Sequence, residues 1–112
     1  MVYRQAEALV TSTEPQPSLL WIHGGPSSVD RWGFNGRAQY FANLGFVVVT
    51  VNYRLGAFGF LHLAEFGGED FATSGTVGMQ DITAALGWVR ENVAAFGGDP
   101  SRVLVYGQSG GG

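Results

Sequence analysis

A strand that runs straight into a glycine-flanked serine constrains this chain more than any other feature. Val103-Leu-Val-Tyr106 is a short apolar run, and it meets Gly107-Gln108-Ser109-Gly110-Gly111, which fits the pattern G-x-S-x-G. A turn this tight brings backbone against backbone, where a Cβ would clash, so glycines on both sides of the serine have a steric reason. The pattern predicts a buried strand, an abrupt turn with the Ser109 hydroxyl exposed at its apex, and a helix starting behind it. In a chain with 18 glycines the string alone is weak, and a glycine-rich loop is its plain alternative. Context decides: a strand precedes it, and a second glycine motif stands upstream at His23-Gly24-Gly25.

Upstream, Leu19-Leu20-Trp21-Ile22 is a compact apolar run stopped by His23-Gly24-Gly25-Pro26, which predicts a strand over 18–23. Residues 2–10 suggest an edge strand of poor alternation, and Thr11 to Pro17 a polar turn. Ala38, Phe41 and Leu44 at helical spacing predict a helix over about 34–44, stopped by Gly45. Phe46 to Val51 is the best strand, continuous and β-branched as when both faces are covered. Residues 53–76 read as a long loop with Phe58, Phe60, Phe66 and Phe71 scattered among glycines. Then Met79, Ile82, Leu86, Val89, Val93 and Phe96 recur in steps of three and four, predicting an amphipathic helix over about 77–95 closed by Gly97-Gly98. Asp99-Pro100 makes the turn into the last strand.

Strand, helix, strand, helix, strand is an α/β pattern with a mostly parallel sheet and right-handed crossovers. If the 18–23 strand lies in the middle, the two helices cover opposite faces. The glycine motifs at 23–25 and 107–111 then flank one crevice at a topological switch point, where open α/β sheets bind ligands.

At 112 residues the chain is at most one domain. A net charge of −3 gives no electrostatic reason to expect nucleic acid or an anionic membrane as partner. The absence of cysteine excludes thiol catalysis, disulfides and thiolate metal sites. No Walker loop, zinc spacing or dinucleotide fingerprint occurs, so neither a cofactor nor a metal is expected. The N-terminus is too polar for a signal peptide and the longest apolar run is too short for a membrane span, which leaves the compartment open.

Three longer strings carry a resemblance. Val51-Asn-Tyr-Arg-Leu-Gly-Ala-Phe-Gly-Phe-Leu61, Trp88-Val-Arg-Glu-Asn-Val-Ala-Ala-Phe-Gly-Gly-Asp-Pro100 and Gly107-Gln-Ser-Gly-Gly111 are similar to the type-B carboxylesterases. Residues 18–54 are instead similar to the prolyl oligopeptidase family, through Leu20-Trp-Ile-His-Gly-Gly-Pro26, Asp30-Arg-Trp-Gly-Phe-Asn35 and Gln39-Tyr-Phe-Ala-Asn-Leu-Gly-Phe46. Both are serine hydrolases of α/β-hydrolase fold. The resemblance implies a partial α/β-hydrolase domain over 1–112 and a small-molecule carboxylic ester as substrate. A serine peptidase is the first alternative, and a non-catalytic binding module the second.

For chemistry the resemblance implies Ser109 as the nucleophile that forms an acyl-enzyme. An oxyanion hole of backbone N–H groups would come from Gly110 and from the loop of Gly24 and Gly25. One position departs from the esterase pattern. Where that family carries a third glycine, Pro26 has no N–H, and losing one donor costs roughly 3–4 kcal/mol in the transition state. In this fold the acid and the histidine follow the serine, and neither occurs after Ser109 here. The remainder of a hydrolase domain is therefore needed for a complete site, and these 112 residues by themselves are not expected to be a competent esterase. His23 is read as holding the glycine loop by a hydrogen bond, His62 as packing or surface, and Glu69 and Asp70 as solvated charges. The aromatic segment 58–71 is read as packing over the sheet, with the lining of an acyl pocket as its alternative.

Overall fold

One central strand, apolar on both faces, organises the molecule. The computed structural model describes residues 1–5 and 13–112. Its strands are β1 (Val2–Tyr3), β2 (Gln16–Ile22), β3 (Val47–Val51) and β4 (Gly98–Gly107), in the order β1-β3-β2-β4. β2 pairs in parallel with both β3 and β4, as the α/β pattern predicts, and β1 is a short antiparallel edge on β3. The Met1 ammonium extends that edge by donating to Thr50 O at 2.8 Å. The rest of the expected edge strand, and residues 11 and 12 of the expected turn, fall mainly outside the described residues.

Successive β2 side chains point to opposite faces and meet different helices. Leu20 and Ile22 pack with Val47, Val49 and, from α4 (Val77–Asn92), with Ile82 and Val89. Leu19 and Trp21 pack with Val48 and, from α1 (Gly36–Asn43), with Ala38 and Ala42. With no solvated face, β2 and β3 are continuously apolar rather than alternating, for the reason that holds in parallel sheets generally.

Asn35 caps α1, its side chain accepting from Ala38 N at 3.1 Å. The helix is shorter than the 34–44 expected. It stops at Asn43, so Leu44 is the C-cap residue, lies off the buried stripe and is 59% exposed, and Ala42 takes the core position instead. Gly45, at φ +93°, ends the turn as expected. α4 continues as a 3-10 turn over Val93–Phe96, and Gly97 closes it in the left-handed conformation.

Three expectations fail. The strand ahead of Ser109 is not buried, since Leu104, Val105 and Tyr106 are half exposed and β4 has a neighbouring strand on one side only among the described residues. β4 begins at Gly98, before the Asp99-Pro100 turn rather than after it. Gln16 pairs with Gly98 and Ser18 with Val103, so β4 spends five residues where β2 spends two. The extra residues form a bulge that Asp99 stabilises by accepting from Ser101 N (2.8 Å), Ser101 Oγ (2.6 Å) and Arg102 Nε (2.7 Å). Arg102 also donates to Pro15 O, which fixes the bulge to the start of β2. The segment 53–76 is not a structureless loop either. It holds α2 (Gly56–Phe60), α3 (Ala64–Gly67) and two 3-10 turns, Glu69–Phe71 and Ser74–Thr76, all too short for a periodic pattern to register.

Candidate active site

Three parallel strands end level with one another, since Ile22 pairs with both Val51 and Gly107. Beyond that line β2 passes into His23-Gly24-Gly25, β3 into Asn52-Tyr53-Arg54, and β4 into the serine turn. Ser109 stands exposed at φ +57°, the one positive φ at a non-glycine residue among the described residues. A left-handed residue with a Cβ costs about 1–2 kcal/mol. The surrounding packing holds it there. A Cβ on Gly107 would strike Gly111 O, and one on Gly111 would strike Ile22 O.

The same closeness ties the turn to the upstream glycine loop. A Cβ built on Gly24 would lie 3.0 Å from Gln108 O, 3.3 Å from Ser109 Cβ and 3.8 Å from Ser109 Oγ. One built on Gly110 would lie 3.2 Å from Gly25 N. The structure thus brings Ser109, Gly24, Gly25 and Gly110 together, and the first three line one open cavity of about 840 Å³. Behind the turn the chain makes a 3-10 turn over Ser109–Gly111.

His23 is buried, and its Nδ1 lies 2.7 Å from Gly24 O. A carbonyl there requires Nδ1 to be the protonated nitrogen, so the ring holds the glycine loop as expected. Nε2 is buried without a partner among the described residues. His62 is exposed in the 53–76 segment and is not part of the cavity lining.

Tyr53 went unnoticed in the sequence. It is buried, stacks on His23 at 4.9 Å between ring centroids, and donates its hydroxyl to His23 O at 3.0 Å, with Gly110 O at 3.3 Å as a second acceptor. A tyrosine directly after a buried strand, beside two glycine turns, was the available signal. Arg37 was also passed over. Its guanidinium lies 5.6 Å from the Trp21 ring centroid and donates to Gln108 Oε1 at 3.3 Å.

The aromatic segment has neither role expected of it. Phe58 and Phe66 are each 87% exposed, and no residue of 58–71 lines the cavity beside Ser109. The short helices turn these rings away from the sheet, while Phe60 lies over Gly78 of α4. The aromatic walls of the cavity come instead from Trp21, Trp32 and Phe34. Glu69 and Asp70 are exposed, as expected.

Arg54 fastens the segment after β3 to α4. Its backbone N, Nε and Nη2 all donate to the Asp81 carboxylate, at 2.9, 2.8 and 2.7 Å. The Arg54 hydrogen bonds hold the Asp81 carboxyl well below its ordinary value, at about 2, and raise Arg54 in turn. Asp99 is likewise held at about 2, first by the Ser101 hydroxyl and then by Arg102.

This arrangement recurs in known proteins. The chain matches the model of the carboxylesterase family over residues 2–112, a span that includes the 18–54 region. It is 46% identical over 105 residues to the para-nitrobenzyl esterase of Bacillus subtilis, a match covering 91% of this chain and 21% of that enzyme. It is 42% identical to carboxylesterase 3B of Mus musculus, covering 92% of this chain and 17% of the relative. Among solved structures, carboxylesterase EST55 of Geobacillus stearothermophilus superposes with a TM-score of 0.74 at 44% identity, over 86% of this chain and 21% of that one. The chain therefore spans about a fifth of the length of these relatives. Its fold is that of an α/β-hydrolase, and the chain belongs to the carboxylesterase family.

Proposed function

We propose that this chain carries the nucleophile and the oxyanion loop of a carboxylic ester hydrolase. The observation that carries the reading is Ser109, held at a positive φ by glycine packing and set against Gly24, with Gly110 set against Gly25. Ser109 Oγ attacks the acyl carbonyl carbon, the alcohol leaves, and water releases the acid from the acyl-enzyme. The N–H groups of Gly25 and Gly110, with Gly24 beside them, are the donors assigned to the oxyanion. Pro26 can supply none. His23 does not serve as the base in this reading: its Nδ1–H is held by Gly24 O, and Nε2, which carries the lone pair, is buried with no hydrogen bond to Ser109. The base and its carboxylate are assigned to residues that follow Ser109 in the full reading frame, the chain order of this fold.

A serine peptidase of prolyl oligopeptidase type is the second reading, favoured by the proline that ends His23-Gly24-Gly25-Pro26. One experiment separates the readings. Protein expressed from the full reading frame is treated with a fluorophosphonate probe and assayed on an aryl acetate and a peptide anilide. Labelling at Ser109 with ester turnover is expected. Preferential anilide cleavage favours the peptidase, and labelling absent from Ser109 overturns both in favour of a binding module.

A further inference from the structure

We infer that Arg37 makes the cavity selective for esters that carry a carboxylate, an inference that rests on Ser109 being the nucleophile. Arg37 sits in the first turn of α1, where the helix dipole disfavours a cation, and no acidic residue accompanies it there. Stability of the helix does not explain that placement. Nor does an ion pair, because neither Arg37 nor Arg31 meets a carboxylate among the described residues.

What fixes Arg37 is the site itself. The guanidinium lies over Trp21 and donates to Gln108, the residue next to the nucleophile. Nη1 is used in that bond, and the remaining N–H groups of the fork have no acceptor among the described residues. Arg31 lines the same cavity, so two of the six basic residues face it although the chain carries a net charge of −3. The one carboxylate in the lining, Asp30, has Oδ2 turned out of solvent, and its backbone is tied to Asn52 by bonds of 2.8 and 2.9 Å. With Arg31 and Arg37 against this one carboxylate, the lining carries a net positive charge. A planar fork with free donors matches a carboxylate, and its ion-pair energy is added to substrate binding next to the reacting serine.

The test uses protein from the full reading frame and two matched pairs of esters. 4-Nitrophenyl hydrogen glutarate against 4-nitrophenyl valerate reads charge on the acyl side. 4-Acetoxybenzoate against phenyl acetate reads it on the alcohol side. In at least one pair, Arg37→Gln is expected to lower the ratio of charged to neutral kcat/KM about fivefold or more at low salt. Arg37→Lys is expected to restore part of that ratio, and 0.5 M salt to shrink the wild-type preference. Circular dichroism melts of both variants show that they fold. Equal losses on charged and neutral esters mean that Arg37 only positions Gln108, which overturns the inference while leaving ester hydrolysis intact. Unchanged ratios in both pairs overturn it equally. Failure of the wild type on all four esters strikes the hydrolase reading itself, and the inference falls with it.

Discussion

β2 and β4 deliver the two halves of the site from neighbouring positions, yet they are held in opposite ways. Leu19 of β2 and Leu104 of β4 are register partners, of one residue type and side by side. Leu19 is 1% exposed and Leu104 is 51% exposed. Val105 and Tyr106 are similarly half open, while every residue from Leu19 to Ile22 is buried. The sequences, Leu-Leu-Trp-Ile and Val-Leu-Val-Tyr, are equally apolar, so the difference lies in neighbours. Among the described residues β2 has a strand on each side and a helix on each face, whereas β4 has a strand on one side. The proposed oxyanion loop thus grows from the most buried strand, and the proposed nucleophile from a strand that is half open among the described residues and is held by turn packing.

Four measurements break or sharpen that contrast. The largest effect belongs to the β4 end. Ser109→Ala, in protein from the full reading frame, is expected to lower kcat on an aryl ester by about six orders of magnitude. Ser109→Gly should do the same while raising the melting midpoint, since it relieves about 1 kcal/mol of left-handed strain. A melt that falls would show that the turn is not strained. Next come the register partners. Leu19→Ala is expected to cost about 2–5 kcal/mol in urea unfolding, the range for a fully buried leucine, and Leu104→Ala under about 1 kcal/mol. Equal losses would mean that β4 is covered as completely as β2 in the folded protein.

The third measurement compares the two glycines of the β2 end. Gly24→Ala pushes a methyl to 3.0 Å from Gln108 O and 3.3 Å from Ser109 Cβ, so the serine must shift. A few tenths of an ångström suffices, and since a full ångström costs about a hundredfold, a loss of up to about tenfold in kcat/KM is expected. Gly25→Ala meets only Leu55 Cδ2, at 3.5 Å, and should cost little. Steady-state kinetics of both variants check the order, and equal losses would separate the loop from the turn. The smallest effect lies on the third strand end. Asp81, ordinarily at 3.8, is held at about 2 by Arg54, so its pair stabilises the fold fully above pH 4. That contribution is lost as pH falls through 2. Melts between pH 5 and pH 2 should therefore decline less for Asp81→Asn than for wild type, and at pH 7 the variant should be about 1 kcal/mol less stable.

What was legible in the sequence follows from pattern length. α4 repeats its apolar spacing over five steps, and the continuous apolar runs marked β2 and β3, so sheet and helices could be placed before any coordinates. α2 and α3, at five and four residues, complete barely one turn and leave no period to read. Ser109, Gly24 and Gly25 announced themselves because close backbone packing demands glycine in a fixed pattern. Tyr53 and Arg37 did not, because each acts through a partner distant in sequence: Gly110 is 57 residues from Tyr53 and Gln108 is 71 from Arg37. The aromatic residues of 58–71 misled for a related reason. Hydrophobicity says that a side chain gains from burial, and says nothing about which surface is within its reach.

The Tyr53 hydroxyl has one proton and two carbonyls to offer it to, one on each glycine turn. That one hydroxyl links the two turns. In the proposed reaction, charge on a substrate oxygen between them would meet dipoles already oriented, so little energy would go into rearranging the surroundings. In Tyr53→Phe the parts would all remain, but they would vibrate independently, and the loss would surface as a larger reorganisation energy rather than as a missing group.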